Sequence, residues 1–176
     1  MKKYKTPQIE VLLIENNLSM MASSAQCAFS YFDRNQANEI RSLSEHMYAT
    51  ISHRQKKALM AIMSNFALKA GNSHDIIKAF EFYIISIGFT EEELLSSSQG
   101  NRQFDSLEEI LAVIKTIPDR HVIDTMIIAA LGFVRKANSE EALDLMGYVC
   151  ETLGYTEHEL DKLITKNSEL MKMNFG

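Results

Sequence analysis

From about residue 39 onward, apolar and polar positions alternate at intervals of three and four, which is the spacing of amphipathic helices. Between residues 53 and 70 the apolar positions form one stripe: Leu59, Ile62, Met63, Phe66 and Ala70. A similar stripe follows later in the chain: Val122, Met126, Ala129, Ala130, Phe133 and Ala137. The segment after each stripe is apolar around more of its circumference, as in helices buried between neighbours. The pattern therefore predicts an all-α fold.

Cap and turn residues divide the first part of this pattern into four helices. Three pairs have the spacing of a capping box, in which a hydroxyl and a later side chain satisfy backbone N–H groups. They are Ser42 with Glu45, Ser52 with Gln55, and Thr90 with Glu93. Gly88 ends the third helix, because glycine accepts the left-handed backbone of many helix ends. We predict helices over residues 43–51, 53–70 and 74–87 and from residue 91.

The same series of signals recurs in the second part of the chain. Asp105 and Ser106 precede a helix that reaches about residue 117, and Pro118 opens the next, which runs to about residue 136. Asn138 and Ser139 cap a third helix. The phrase GYTEHELD, residues 154–161, ends that helix and begins the last one, as GFTEEELL does at residues 88–95.

A shift of 66 residues aligns the two parts without a gap. Ten of the 43 pairs that begin at residues 53 to 95 are identical, and most of these identities are cap, turn or core positions. We therefore predict a helical bundle of about eight helices, built from two pseudo-symmetric four-helix repeats. The repeats span residues 39–104 and 105–170, within a single helical domain over residues 39–176.

Residues 1–38 have a different character and are predicted to form an N-terminal tail. Thr6 and Pro7 precede the letters QIEVLLIE, which favour a short strand over residues 8–15. The residues that follow are rich in Ser, Asn, Gln and Ala, which is typical of a linker. Methionines at positions 20 and 21 leave open a second start of translation.

The segment FALKAGNSHDIIKAFEFYIISIGFTEEELL, residues 66–95, resembles the tellurite-resistance TerB-like helical domains in its layout. The resemblance covers about 30 residues and, more weakly, the copy at residues 133–163. It implies a small all-helical bundle with internal pseudo-symmetry. Where the family carries Asp-Gly, this chain has Ala70 and Gly71, and the copy has Lys136 and Ala137. The aspartate is absent from both copies, which argues against carrying over an acidic-site role.

Composition and charge fit a packed soluble domain without a nucleic-acid footprint. The 176 residues are 46% apolar and carry a formal charge of −5. Residues 1–104 hold 11 basic and 10 acidic residues, and residues 105–176 hold 7 and 13. This asymmetry leaves open association with another protein or with another copy of the chain. Two cysteines and no apolar run long enough to span a membrane indicate a cytoplasmic protein.

Acidic residues at predicted helix starts are candidate ligands for a hard cation. The candidates are Glu91, Glu92, Glu140, Glu141, Asp144 and Glu157. The favoured interpretation is structural, because carboxylates in a first helical turn complement the helix dipole. No two histidines have the spacing of a shared metal site, and Cys150 lies in an apolar helix that makes a thiol unreactive. We predict no cofactor.

A basic cluster, HRQKK at residues 53–57, supplies the candidate partner-binding residues Arg54, Lys56 and Lys57. Cations are poorly placed in a first helical turn, so they are candidates for contact with an acidic partner. Three charges without interleaved aromatic residues form a weak nucleic-acid footprint, and a solvated face is the favoured interpretation.

The absence of catalytic motifs favours a non-catalytic intracellular interaction or adaptor domain whose protein partner is unidentified. The alternative is a metal-binding or small-ligand-binding stress-response protein, as the TerB-like resemblance implies.

Overall fold

A computed structural model of the chain describes residues 29–94 and 103–175, with side chains up to residue 167. All regular structure in these residues is helical, which confirms the all-α prediction. The helices are α1 (Arg34–Tyr48), α2 (His53–Lys69), α3 (His74–Ser86), α4 (Leu107–Lys115), α5 (Arg120–Ala137), α6 (Glu140–Thr152) and α7 (Glu157–Phe175). Residues 91–94 are also helical. The strand predicted over residues 8–15 lies outside the described residues.

The capping signals place most helix starts correctly. The hydroxyl of Ser52 accepts from the backbone N–H of Gln55, whose side chain accepts in return from the N–H of Ser52. Serine side chains also cap α3, α4 and α6. At the start of α5 the cap is Asp119 rather than the first-turn Pro118 that we predicted. Each cap satisfies backbone donors that have no partner inside the helix.

The first helix differs from its prediction. We expected a helix over residues 43–51 capped by Ser42, but α1 begins at Arg34, and its cap is Asp33 in a capping box with Gln36. The helix therefore starts inside the segment that we assigned to the N-terminal tail. Its first turns are mostly polar because Ala37 is the one residue of α1 that is fully buried. A contact face this narrow leaves little apolar periodicity in the sequence.

Helices α2 and α5 form the centre of the bundle. α2 contacts α3, α4, α5 and α6, and α5 also packs against α6 and α7. The largest fully buried side chains include Phe66, Phe89, Phe104 and Phe133, all part of one core cluster. Burial of aromatic rings of this size is a main source of stability in a small domain.

Helix α1 lies at the periphery and packs mainly against α3. The guanidinium of Arg41 donates to the carbonyl oxygen of Phe89 at 2.9 Å, in the turn that follows α3. The hydroxyl of Tyr48 donates to the carbonyl of Arg41 at 3.2 Å, which keeps its ring beside the same turn. These contacts fix the chain that precedes α1 on the outer side of α3.

Candidate functional site

The three predicted partner-binding cations contact other parts of the same domain. Arg54 donates to the carboxylate of Glu109 at 2.9 Å, and its guanidinium carbon lies 4.9 Å from the centre of the Phe104 ring. The ammonium of Lys57 lies 3.4 Å from the side-chain oxygen of Gln103. Both contacts tie α2 to the segment that contains the start of α4.

Lys56 is the least exposed of the three cations. Its ammonium lies 3.7 Å from a carboxylate oxygen of Glu93 and 5.6 Å from the centre of the Tyr48 ring. The side chain is 14% exposed, so the interpretation of this cluster as a solvated face is wrong for Lys56. Together the three cations contribute contacts between elements of the bundle.

The predicted metal ligands lie at three separate helix starts. Glu91 and Glu92 lie in the stretch 91–94, and Glu157 opens α7. Glu140, Glu141 and Asp144 lie at the beginning of α6. Two of these six acids pair with cations, at 3.5 Å between Glu91 and Arg34 and at 3.7 Å between Glu141 and Lys69. Within the described residues, no three His, Cys, Asp or Glu side chains converge in a group that could hold a metal ion.

Cys150 has the environment that its sequence context predicts. Its side chain is buried among the core residues, and burial raises the pKa of the thiol to about 12. Because the thiolate is the reactive form, this cysteine is unreactive at neutral pH.

A buried carboxylate of α3 was not among the predicted site residues. Glu81 is 1% exposed, and its two oxygens accept from the backbone N–H groups of Ser30 and Tyr31, each at 2.8 Å. Within the described part of the chain no salt bridge reaches it. Burial raises the pKa of Glu81, and the hydrogen bonds from Ser30 and Tyr31 partly offset this effect.

Residues 29–32, which we name the arm, contact α3 with their side chains as well. Phe29 is 3% exposed and belongs to the core cluster. The hydroxyl of Tyr31 forms a hydrogen bond with Nδ1 of His74, and the two rings meet edge to face with centroids 5.9 Å apart. The ring of Phe32 lies 6.1 Å from that of Phe82, centroid to centroid.

We define the arm-docking face as His74, Glu81 and Phe82 of α3. It binds a non-helical segment through two successive backbone amides and through aromatic contacts, which is how many proteins bind extended peptides. Phe82 stays 41% exposed beside the arm. This face is the candidate functional site, because it joins a buried charge to an incompletely covered aromatic ring.

Two signals in the sequence point to this face, although their partnership was not predictable. A glutamate stands between Phe80 and Phe82 in a helix that is apolar nearly all round. Buried charges of this kind require a partner. Three aromatic residues, at positions 29, 31 and 32, stand in a segment otherwise rich in small polar residues. The partners are about 50 residues apart, so no local pattern joins them.

A second polar cluster lies between the starts of α5 and α7. The hydroxyl of Tyr155 donates to a carboxylate oxygen of Asp124 at 2.5 Å, and the guanidinium carbon of Arg120 lies 4.1 Å from the centre of the Tyr155 ring. Arg120 also pairs with Asp124 at 3.5 Å. Burial and the neighbouring Asp124 raise the pKa of Tyr155 well above its usual value. The three side chains satisfy one another.

None of the described helices is both long and apolar enough to cross a membrane. Comparison of the chain with protein-family models, with curated proteins and with solved structures finds no match. The TerB-like resemblance therefore stays a prediction.

Proposed function

We propose that the protein is a non-catalytic interaction domain of the cytoplasm whose partner is another protein. The observation that carries this proposal is the arm-docking face, where the helical domain holds an extended segment through Glu81 and the rings around it. Backbone hydrogen bonds provide affinity in this mode of recognition, and side-chain contacts provide specificity.

Apolar side chains that remain exposed support the same function. Leu43 of α1 is 75% exposed, and Leu143 of α6 is 60% exposed. Phe82 and Ile164 are 41% and 39% exposed. Phe82 carries the most weight, because aromatic residues are enriched at the centres of protein interfaces.

We further propose that the domain consists of the two pseudo-symmetric repeats inferred from the sequence. α3 and α6 have the same length, and a shift of 66 residues superimposes their bounds. Two ion pairs support a two-fold relation. Lys69 at the end of α2 pairs with Glu141, and Lys136 near the end of α5 pairs with Asp75 at 3.4 Å. Reciprocal contacts of this type are what a two-fold axis generates.

Site-specific crosslinking tests the proposed function. The photoreactive residue p-benzoylphenylalanine replaces Phe82 in the tagged full-length chain, expressed at its natural level in its own cells. The matched control carries the same residue at Ala112, an exposed position on α4. We expect a discrete crosslinked protein from position 82 and none from position 112.

A deletion of residues 1–28 provides the second arm of this test, since it leaves the arm and α1 intact. The proposal is wrong if position 82 crosslinks to no specific protein in both the full-length and the shortened chain.

A further inference from the structure

We propose that the arm-docking face is a peptide-binding site that the arm occupies in cis, so that an extended aromatic peptide of the partner binds there by displacing residues 29–32. This inference rests on the proposed function and names the chemistry of its partner. It starts from the geometry of Glu81, a carboxylate that is 1% exposed and has backbone amides as its partners.

The contacts of the arm are ones that a separate peptide can reproduce. Every non-proline residue carries the N–H group that Ser30 and Tyr31 donate to Glu81. The remaining contacts are burial of one aromatic ring, at Phe29, and approach of two others to His74 and Phe82. All of them join segments that are far apart in sequence, and the arm is linked to α1 through the single cap residue Asp33.

The recognised ligand follows from these contacts. It is an extended segment with two successive residues other than proline, preceded by an aromatic residue that enters the site of Phe29. Further aromatic residues at the positions of Tyr31 and Phe32 contact the helix. Because Phe82 remains 41% exposed next to the arm, a longer or larger aromatic ligand can cover more of this ring than the arm does.

Occupation in cis makes the site self-inhibited. A tethered segment competes at an effective concentration of roughly millimolar, so a separate peptide binds more weakly when the arm is in place. A partner overcomes this competition by covering surface that the arm leaves exposed. The arm therefore sets a threshold of affinity below which peptides are excluded.

The experiment opens the site in the full-length chain and measures binding of a peptide with the sequence of the arm. The substitutions Ser30→Pro and Tyr31→Pro together remove both N–H donors. The probe is a fluorescein-labelled peptide AFSYFD, followed by fluorescence anisotropy. We expect the doubly substituted chain to bind the probe at least about tenfold more tightly than the wild-type chain, whose own arm competes.

Two controls show whether Glu81 is the receptor group. In the opened chain, Glu81→Gln is expected to weaken binding about tenfold or more, because hydrogen bonds to a charged acceptor are the strong ones. A probe whose amides at the serine and tyrosine positions are N-methylated tests the same hydrogen bonds without altering the protein, and it is expected not to bind. Far-ultraviolet circular dichroism verifies that each variant is folded.

If the opened variant fails to fold, the wild-type chain carries the test. Tyr31 is then replaced by 3-fluorotyrosine, and millimolar unlabelled peptide is expected to shift its fluorine resonance towards that of the solvent-exposed residue. The N-methylated peptide is expected to leave the resonance unchanged.

The inference is overturned if the folded, opened chain binds the probe no better than wild type, or if N-methylation does not weaken binding. In the fluorine experiment, an unchanged resonance at millimolar peptide has the same meaning. A partner that still crosslinks at position 82 would then leave the proposed function standing, while the arm would be a permanent part of the fold.

Discussion

The turn after α3 and the turn after α6 have the same backbone but different surroundings. Gly88 and Gly154 both have positive φ, at 95° and 80°. The backbone N–H of Phe89 donates to the carbonyl of Ile84 at 3.1 Å, and that of Tyr155 donates to the carbonyl of Cys150 at 2.9 Å. In both turns a glycine in the left-handed region ends the helix, and the next residue closes it.

The surroundings diverge because α1 covers only the first turn. A Cβ atom at Gly88 would lie 2.5 Å from the ring of Tyr48, whereas one at Gly154 would have no atom within 4 Å. Phe89 is fully buried, and its carbonyl accepts from Arg41, while Tyr155 directs its hydroxyl to Asp124. The comparison teaches that a repeated local signal fixes the path of the chain but does not determine what packs on it.

Replacing each glycine by alanine should produce the largest difference between the turns. Both changes place a Cβ at positive φ, which costs about 1–2 kcal/mol. Gly88→Ala also forces an atom into the Tyr48 ring, and overpacking of this kind adds about 1–3 kcal/mol. Urea unfolding should therefore give a clearly lower free energy of unfolding for Gly88→Ala than for Gly154→Ala. Equal losses would show that α1 does not cover the first turn in solution.

Exchanging the aromatic residues of the two turns should have the next largest effect. Phe89→Tyr places a hydroxyl in a fully buried site, at a cost of about 1–3 kcal/mol if it finds no partner. Tyr155→Phe removes the hydrogen bond to Asp124, worth about 1 kcal/mol, while Arg120 still pairs with Asp124. The free energies of unfolding of both variants check this. A neutral Phe89→Tyr would mean that the first turn also provides a polar partner.

The caps of the two turns should respond alike, because they have the same local geometry. The N–H of Glu93 donates to the hydroxyl of Thr90, and that of Glu159 donates to the hydroxyl of Thr156. Thr90→Ala and Thr156→Ala should each lower the free energy of unfolding by about 1 kcal/mol. Serine at either position is the control and should retain most of the stability. A large difference between the two alanine variants would extend the divergence of the turns to their caps.

These contrasts also mark how far the sequence predicts the structure. The starts of α2 and α3 were predictable because a cap and its recipient N–H lie within three residues of each other. The start of α1 was missed, since a polar helix with one fully buried residue resembles a linker. The link between Glu81 and the arm was missed for a different reason. Its partners are about 50 residues apart, and tertiary folding alone brings them together.

The predicted site residues show the same limit. Arg54 and Lys56 were recognised as unusual for a first helical turn, and that observation holds. Their actual partners, Glu109 and Glu93, lie on other elements, and sequence spacing gave no means of finding them. Charge patterns therefore identified residues with a role but assigned that role to an external partner.

The smallest effect should be a pH dependence of the second turn. Hydrogen bonding from the Thr156 backbone is the main cause that lowers the pKa of the exposed Glu159 carboxyl below its ordinary value of 4.5. A depressed pKa in the folded state contributes stability that is present above the unfolded pKa and lost as the pH falls through the folded one. Below about pH 4.5, the urea midpoint of the wild-type chain should therefore fall more steeply than that of Glu159→Gln.

Glu157→Gln is the matched control for this measurement, because it removes a charge from the same first turn without touching the hydrogen bonds to Thr156. At neutral pH, Glu159→Gln should change stability little, since glutamine can complete a capping box as well. If Glu157→Gln flattens the acid limb as much as Glu159→Gln does, the effect belongs to the general attraction between acids and the helix N-terminus. If Glu159→Gln alone flattens it, the pH dependence arises from the cap of the second turn.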